Sequence, residues 1–215
     1  MKQGVRNTVI VLVLVVLGVI GLTVNKYTST KAGIDKEALR ELGVVWYETP
    51  RTFAFNPLSM AEGKTFTHEH LKDRWTLMYF GFTFCPDICP AALAHMAQLK
   101  KELKVLNPQV ADRVDVVLVS VDPNRDNPEK LTGYVNFFDP EFKGATSDPA
   151  NLKALTQQLN VAFEIVGDTS SADYLVEHSA QVVLINPMGD YQGFLKPPFK
   201  AADLAKAMIQ VDQNF

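Results

Sequence analysis

Two cysteines, Cys85 and Cys89, are the only thiols among 215 residues, and they stand four apart in Phe84-Cys85-Pro86-Asp87-Ile88-Cys89-Pro90. Two thiols are too few for a disulfide scaffold in a chain of this length, so their closeness points to redox or metal chemistry. On a helix, residues four apart hold their Cβ atoms about 5–6 Å from each other on one face, which suits two thiolates converging on one ion. A disulfide wants Cβ atoms about 3.5–4.5 Å apart, so oxidation requires the turn to tighten or unwind. The segment is therefore expected to carry either a metal or, after a local rearrangement, a disulfide bond. The plain alternative is a pair of buried cysteines packing as small hydrophobes. Two residues between the cysteines would have pointed to ordinary disulfide exchange; three weaken that reading.

A pair of thiolates suits Cu(I) by softness, and an imidazole suits either copper state. Structural zinc wants four protein ligands, and the chain has no second cysteine pair. The histidines are His68, His70, His95 and His178. His178, in Tyr174-Leu-Val-Glu-His-Ser immediately before an apolar run from Ala180, is the best candidate for a third ligand, on a loop at a strand edge. Taken alone, such a histidine is more often a capping or surface residue. His68 and His70 read as part of a solvated strand or turn, with a small His-Glu-His metal site as the alternative. His95, six residues after Cys89, reads as a surface residue on a helix, pointing away. Met60, Met78, Met96 and Met188 are scattered and read as core rather than as a thioether site.

The elements that must position these groups follow from the hydrophobic pattern. Trp75 to Phe80 is an apolar run suited to a buried strand, and the cysteine segment follows it at once. Pro90 to Leu106 reads as a helix burying Leu93, Met96, Ala97, Leu99 and Leu103. The cysteines thus sit where a strand ends and a helix begins, an edge at which α/β folds build sites. The helix N-terminus also offers unpaired N–H groups and a partial positive charge, which lower a nearby thiol pKa. Val114 to Val121 reads as a second buried strand, followed by helices from Pro128 and over Pro149–Leu159, proline being at home in a first turn. Further strands are expected at Arg51–Phe55, Val161–Val166, Ala180–Asn186 and Tyr191–Leu195, the last two as a hairpin, with a closing helix over Lys200–Asp212. This order implies an α/β domain with a partly parallel central sheet.

The chain is 47% hydrophobic and 21% charged with a net charge of -3, enough for one sizeable core and without a basic field for nucleic acid. From Asn7 to Asn25 no residue is charged. Residues 1–25 are expected to form a cytoplasmic tip and a transmembrane helix, with residues 8–25 in the membrane. Lys2 and Arg6 ahead of it keep the N-terminus cytoplasmic by the positive-inside rule. No small-x-small site follows the apolar core, which favours an uncleaved anchor, and the short basic leader suits a bacterial cytoplasmic membrane. Residues 26–43 read as a polar stalk, part-helical from Asp35, and residues 44–215 as the periplasmic domain, expected to be a monomer.

With these residues in view, the sequence resembles the Sco/SenC family of copper-binding cytochrome c oxidase assembly proteins from about Phe53 onward. The resemblance rests on Tyr79-Phe-Gly-Phe-Thr83, Cys85-Pro-Asp-Ile-Cys-Pro90, Ser120-Val-Asp-Pro123, Asp126, Pro128, Tyr174, Val176, His178 and Ser179. It implies a thioredoxin-like fold and one copper ion, Cu(I) or Cu(II), held by Cys85, Cys89 and His178. It implies a metallochaperone, not an enzyme, that serves the binuclear copper site of oxidase subunit II or a related copper protein. The competing function is a thiol–disulfide reductase in which Cys85 attacks and Cys89 resolves. Asp122 lies in the family's aspartate-proline loop and is expected to shape the site without ligating. Phe84, where many members carry histidine, and Glu177, where aspartate is frequent, depart from the pattern, and neither removes a ligand.

Overall fold

The computed structural model describes residues 3–28, 34–167, 169 and 174–215, in two compact units. The first contains helix α1 (Gln3–Thr28), whose large apolar side chains from Ile10 to Ile20 are exposed. Among the described residues no helix is both long and apolar enough to cross a membrane. The anchor expected over residues 8–25 falls partly outside the description, because the side chains of residues 21–28 are not part of it.

The compact unit begins at Asp35. Asp35 caps α2 (Lys36–Glu41) by accepting from the N–H groups of Glu37 and Ala38, and Leu39 is fully buried. The C-terminal part of the expected stalk is therefore a packed helix. Strands β1 (Val44–Arg51), β2 (Leu58–Ser59), β3 (Thr65–Phe66) and β4 (Trp75–Gly81) follow, then α3 (Ile88–Leu106) and α4 (Pro108–Ala111). Next come β5 (Val114–Ser120), α5 (Pro128–Asn136), β6 (Lys143–Ala145), α6 (Pro149–Gln158), β7 (Phe163–Val166), β8 (Leu175–His178), β9 (Val182–Ile185), β10 (Tyr191–Leu195) and α7 (Ala201–Asn214).

Six strands form one mixed sheet in the order β1-β10-β9-β4-β5-β6. Strand β4 pairs with β5 in parallel from Trp75↔Val114 to Gly81↔Ser120, and β5 with β6 in parallel, whereas β9, β10 and β1 run antiparallel to their neighbours. Every residue of β4 is buried, as its continuous apolar run requires of a central strand covered on both faces. Leu93, Met96, Ala97, Leu99 and Leu103 of α3 are buried as their spacing predicts, and so is Lys100, whose ammonium donates to the carbonyls of Ala111 and Val114. Asn127 and Asp148 cap α5 and α6, with Pro128 and Pro149 in the first turns.

Three expectations are corrected. The strand expected at Arg51–Phe55 ends at Arg51. Beyond it the backbone of Ala54 is satisfied by the Gln158 side chain, which both donates to its carbonyl and accepts from its N–H, leaving no call for a partner strand. Met188, expected in the core, is 63% exposed on the turn between β9 and β10, while Met78 and Met96 are buried. His178 lies not on a loop but at the end of β8, which pairs with β7 in a separate two-stranded hairpin, Phe163 opposite His178.

Candidate metal centre

The parallel pairing of β4 and β5 ends at Gly81↔Ser120, and the chain leaves the sheet there through Phe82–Asp87. Helix α3 starts at Ile88, two residues earlier than the proline pattern suggests, so Pro90 still falls in the first turn, where its missing N–H costs nothing. Asp87 at the N-cap position makes no side-chain cap. The Cys85 sulfur takes that place by accepting from the Cys89 N–H at 3.4 Å. One cysteine thus holds the helix start in register with the other, and both are free thiols.

The hairpin brings in the third group from 89 residues away. His178 Nε2 lies 3.2 Å from the Cys89 sulfur, and the ligand atoms of Cys85, Cys89 and His178 all lie within 4.8 Å of one another. Among the described residues this is the only group of three or more His, Cys, Asp or Glu side chains so arranged. His178 Nδ1 is 3.0 Å from the Ser179 carbonyl, an acceptor only, so Nδ1 carries the proton and the Nε2 lone pair faces the sulfurs. The ring is wedged edge-on against Tyr79 and Phe82, with centroids 5.9 and 5.8 Å away. Ser179 ties the strand end to the neighbouring chain, its N–H donating to the Ala162 carbonyl and its hydroxyl accepting from the Ala162 N–H.

Burial pushes the His178 pKa down, against a smaller opposing effect of its bond to Ser179, so the imidazole is neutral and free to ligate. Burial also pushes the Cys89 thiol up, overriding a lowering hydrogen bond from the Phe82 backbone. For Cys89 this corrects the expectation that the helix N-terminus lowers a nearby thiol: Cys89 is fully buried, and desolvation of the thiolate outweighs the helix end. Cys89 therefore holds its proton until a cation offsets that penalty.

Supporting groups surround the ligands. Asp126, 2% exposed, accepts from the Thr83 N–H at 2.9 Å, from the Thr83 hydroxyl and from the Ser120 hydroxyl at 2.7 Å, fixing the turn that carries Cys85. Asp122 is fully buried and accepts from the Arg125 side chain and the Tyr174 hydroxyl, holding the hairpin to the loop after β5. The Arg125 guanidinium lies over the Tyr174 ring at 3.7 Å and donates to the Tyr174 carbonyl. Sequence reasoning missed Arg125, which no spacing singles out. A cleft of about 700 Å³ opens onto Cys85 and His178 beside Phe84, Ile88 and Leu175, all exposed. Phe84, which departs from the family pattern, has the Lys130 ammonium 3.9 Å and the Arg125 guanidinium 5.2 Å from its ring. The other histidines stand apart: His68 and His70 form a 3-10 turn with Glu69 and Leu71, and His95 is exposed, its Nδ1 within 2.6 Å of the Ala91 carbonyl on its own helix.

The family model for SCO1/SenC matches residues 52–212. The chain belongs to the SCO1/SenC family. A Stutzerimonas stutzeri protein named for copper binding is 32% identical over 189 residues, covering 87% of this chain and 90% of that protein. A SCO2-like protein of Rickettsia felis is 36% identical over 130 residues, 60% of this chain and 62% of that protein, so for it and several other family members the match spans less than two thirds of their length. Among solved structures, Arabidopsis thaliana ScoI with copper bound is 32% identical with a TM-score of 0.66, covering 75% of this chain and 99% of that one. Apo Sco1 from Thermus thermophilus is 27% identical with a TM-score of 0.68, covering 79% and 95%. These neighbours carry the mixed central sheet with flanking helices described above. Two sulfurs and a neutral imidazole are donors that fit copper, and three ligands do not complete a structural zinc site.

Gly81, at the end of β4, leaves room for the Cys89 sulfur that a side chain would take. A methyl group at this position would lie 2.7 Å from the Cys89 sulfur, 3.1 Å from Tyr79 Cε1 and 3.4 Å from Leu118 Cδ1. Gly81→Ala is expected to push the sulfur off its position, cost about 1–3 kcal/mol of stability and weaken copper binding at least tenfold. Thermal unfolding of the metal-free protein and titration with Cu(I) against a chelator measure the two effects. A variant that keeps wild-type affinity would show that the sulfur does not depend on this close approach.

Proposed function

We propose that this chain is a membrane-anchored copper carrier that holds one ion through Cys85, Cys89 and His178. Its cargo goes to the binuclear copper site of cytochrome c oxidase subunit II or a related copper protein. The observation that carries the reading is the convergence of three ligand atoms within 4.8 Å. Copper binding by family relatives supports it, as does the resemblance set out from the sequence.

The chain's own groups define what loading involves. Both thiols give up their protons, while His178 already presents a bare Nε2 and moves none. Cys85 and His178 line the cleft, and Cys89 lies beneath with no exposure. An acceptor's thiolates would approach past Phe84 and Leu175 and displace the ligands in turn. This is binding and ligand exchange, not catalysis. The reductase alternative is less favoured, because a fully buried Cys89 that holds its proton is a poor resolving nucleophile.

For location, we propose a single-pass anchor at residues 8–25 in a bacterial cytoplasmic membrane with the domain in the periplasm. The uncharged stretch from Asn7 to Asn25 and the exposed apolar side chains from Ile10 to Ile20 support it.

His178→Ala is expected to keep the fold and to lower Cu(I) affinity at least tenfold, read by chelator competition, with oxidase assembly scored separately in cells that make only this variant. Unchanged affinity would remove His178 from the site. Assembly that survives complete loss of copper binding would instead establish the reductase function. The intact chain is expected to stay with membranes after alkaline carbonate washing, with its domain open to protease added outside the cytoplasmic membrane. Release by the wash, or protection from the protease, would contradict the proposed anchor or its orientation.

A further inference from the structure

Tyr79 stands on β4, fully buried, with its hydroxyl against the Cys89 side chain and its ring edge-on to His178 at 5.9 Å. Against the neutral thiol the hydroxyl meets no acceptor at hydrogen-bonding geometry, and the partner within its reach is the Cys89 sulfur in its ionised form. A buried donor without a partner is costly and rare in native folds, and it asks for an acceptor that the described state lacks. Each sulfur already has one backbone donor, the Cys89 N–H for Cys85 and the Phe82 backbone for Cys89. A neutral thiol is a weak acceptor, whereas a thiolate is a strong one. Loading a metal strips the Cys89 proton and turns its sulfur into the acceptor the hydroxyl lacks.

We propose that Tyr79 is a positioning residue of the copper centre, its hydroxyl donating to the Cys89 sulfur in the loaded state. The inference rests on the copper-binding reading above and deepens it. The Cys89 sulfur then has two protein donors, the Phe82 backbone and the phenol, and the Cys85 sulfur has the Cys89 N–H. The Tyr79 ring fixes the imidazole while its hydroxyl fixes the neighbouring thiolate, so one side chain orients two of the three ligands. Partners of this kind, one step behind the ligands, commonly change metal affinity 10–100-fold when lost.

Tyr79→Phe removes the hydroxyl and keeps the ring. Tyr134→Phe is the matched comparison, because the Tyr134 hydroxyl on α5 is also buried without a partner but feels the cysteines only through charge. In the full chain without metal, both variants are expected to unfold at or above the wild-type midpoint, since each loses an unpaired buried group. With copper, Tyr79→Phe is expected to lose about tenfold in Cu(I) affinity. Its sulfur-to-Cu(II) charge-transfer absorption should move to lower energy, as a thiolate relieved of a hydrogen bond gives up charge more readily. Tyr134→Phe should match wild type in both. Wild-type affinity and spectrum in Tyr79→Phe, the same changes in Tyr134→Phe, or a lowered metal-free midpoint in Tyr79→Phe would each overturn the inference. If wild type itself fails to bind Cu(I), the proposed function falls first; if it binds and Tyr79→Phe is identical, only the role of Tyr79 falls.

Discussion

The meeting of the Cys89 sulfur and His178 Nε2 at 3.2 Å joins two parts of the chain that share no strand pairing. Cys89 belongs to the first turn of α3, fixed by the central sheet; His178 ends a two-stranded hairpin that lies outside it. A sulfur and an imidazole with no mutual charge attraction gain little from this approach on their own. Burial disfavours the thiolate on one side and the imidazolium on the other, so both are held neutral and close. A cation that enters displaces the Cys89 proton and supplies the charge that makes the buried thiolate tolerable.

The surrounding fold supplies the rigidity that the ligands lack. Asp126 binds Thr83 and Ser120, locking the cysteine turn to the end of β5. Asp122 binds Arg125 and Tyr174, locking the same loop to the base of the hairpin. Two buried carboxylates on one loop thus anchor both arms of the site. Each is surrounded by donors, the condition under which a buried acid stabilises rather than weakens a fold. Phe84 and Leu175 stand exposed at the mouth, above ligands that are themselves largely withdrawn.

The central architecture was legible because its signals are local. The largely apolar, β-branched or aromatic runs at Trp75–Phe80 and Val114–Val121 read as central strands, and Pro128 and Pro149 mark helix starts that coincide with the observed ones. The sequence also named the three residues that the fold brings together. It misjudged what depends on tertiary partners. Residues 52–55 alternate like a strand, but Gln158 satisfies their backbone instead. The four residues of β8 are too short to show a period, so His178 was read as part of a loop. Proximity to a helix end suggested a lowered Cys89 pKa, and only the depth of burial reverses that. Arg125 and the unpartnered Tyr79 hydroxyl carry no sequence signal beyond residue type, because their roles exist only once the hairpin has folded over the turn.

X-ray absorption at the copper edge on the full chain loaded with one equivalent of Cu(I) tests the central claim most directly. Two sulfur scatterers and one imidazole nitrogen around the ion are required, with the nitrogen lost in His178→Ala. A shell of nitrogen and oxygen only, or a two-sulfur shell that His178→Ala leaves unchanged, would contradict a site assembled from Cys85, Cys89 and His178.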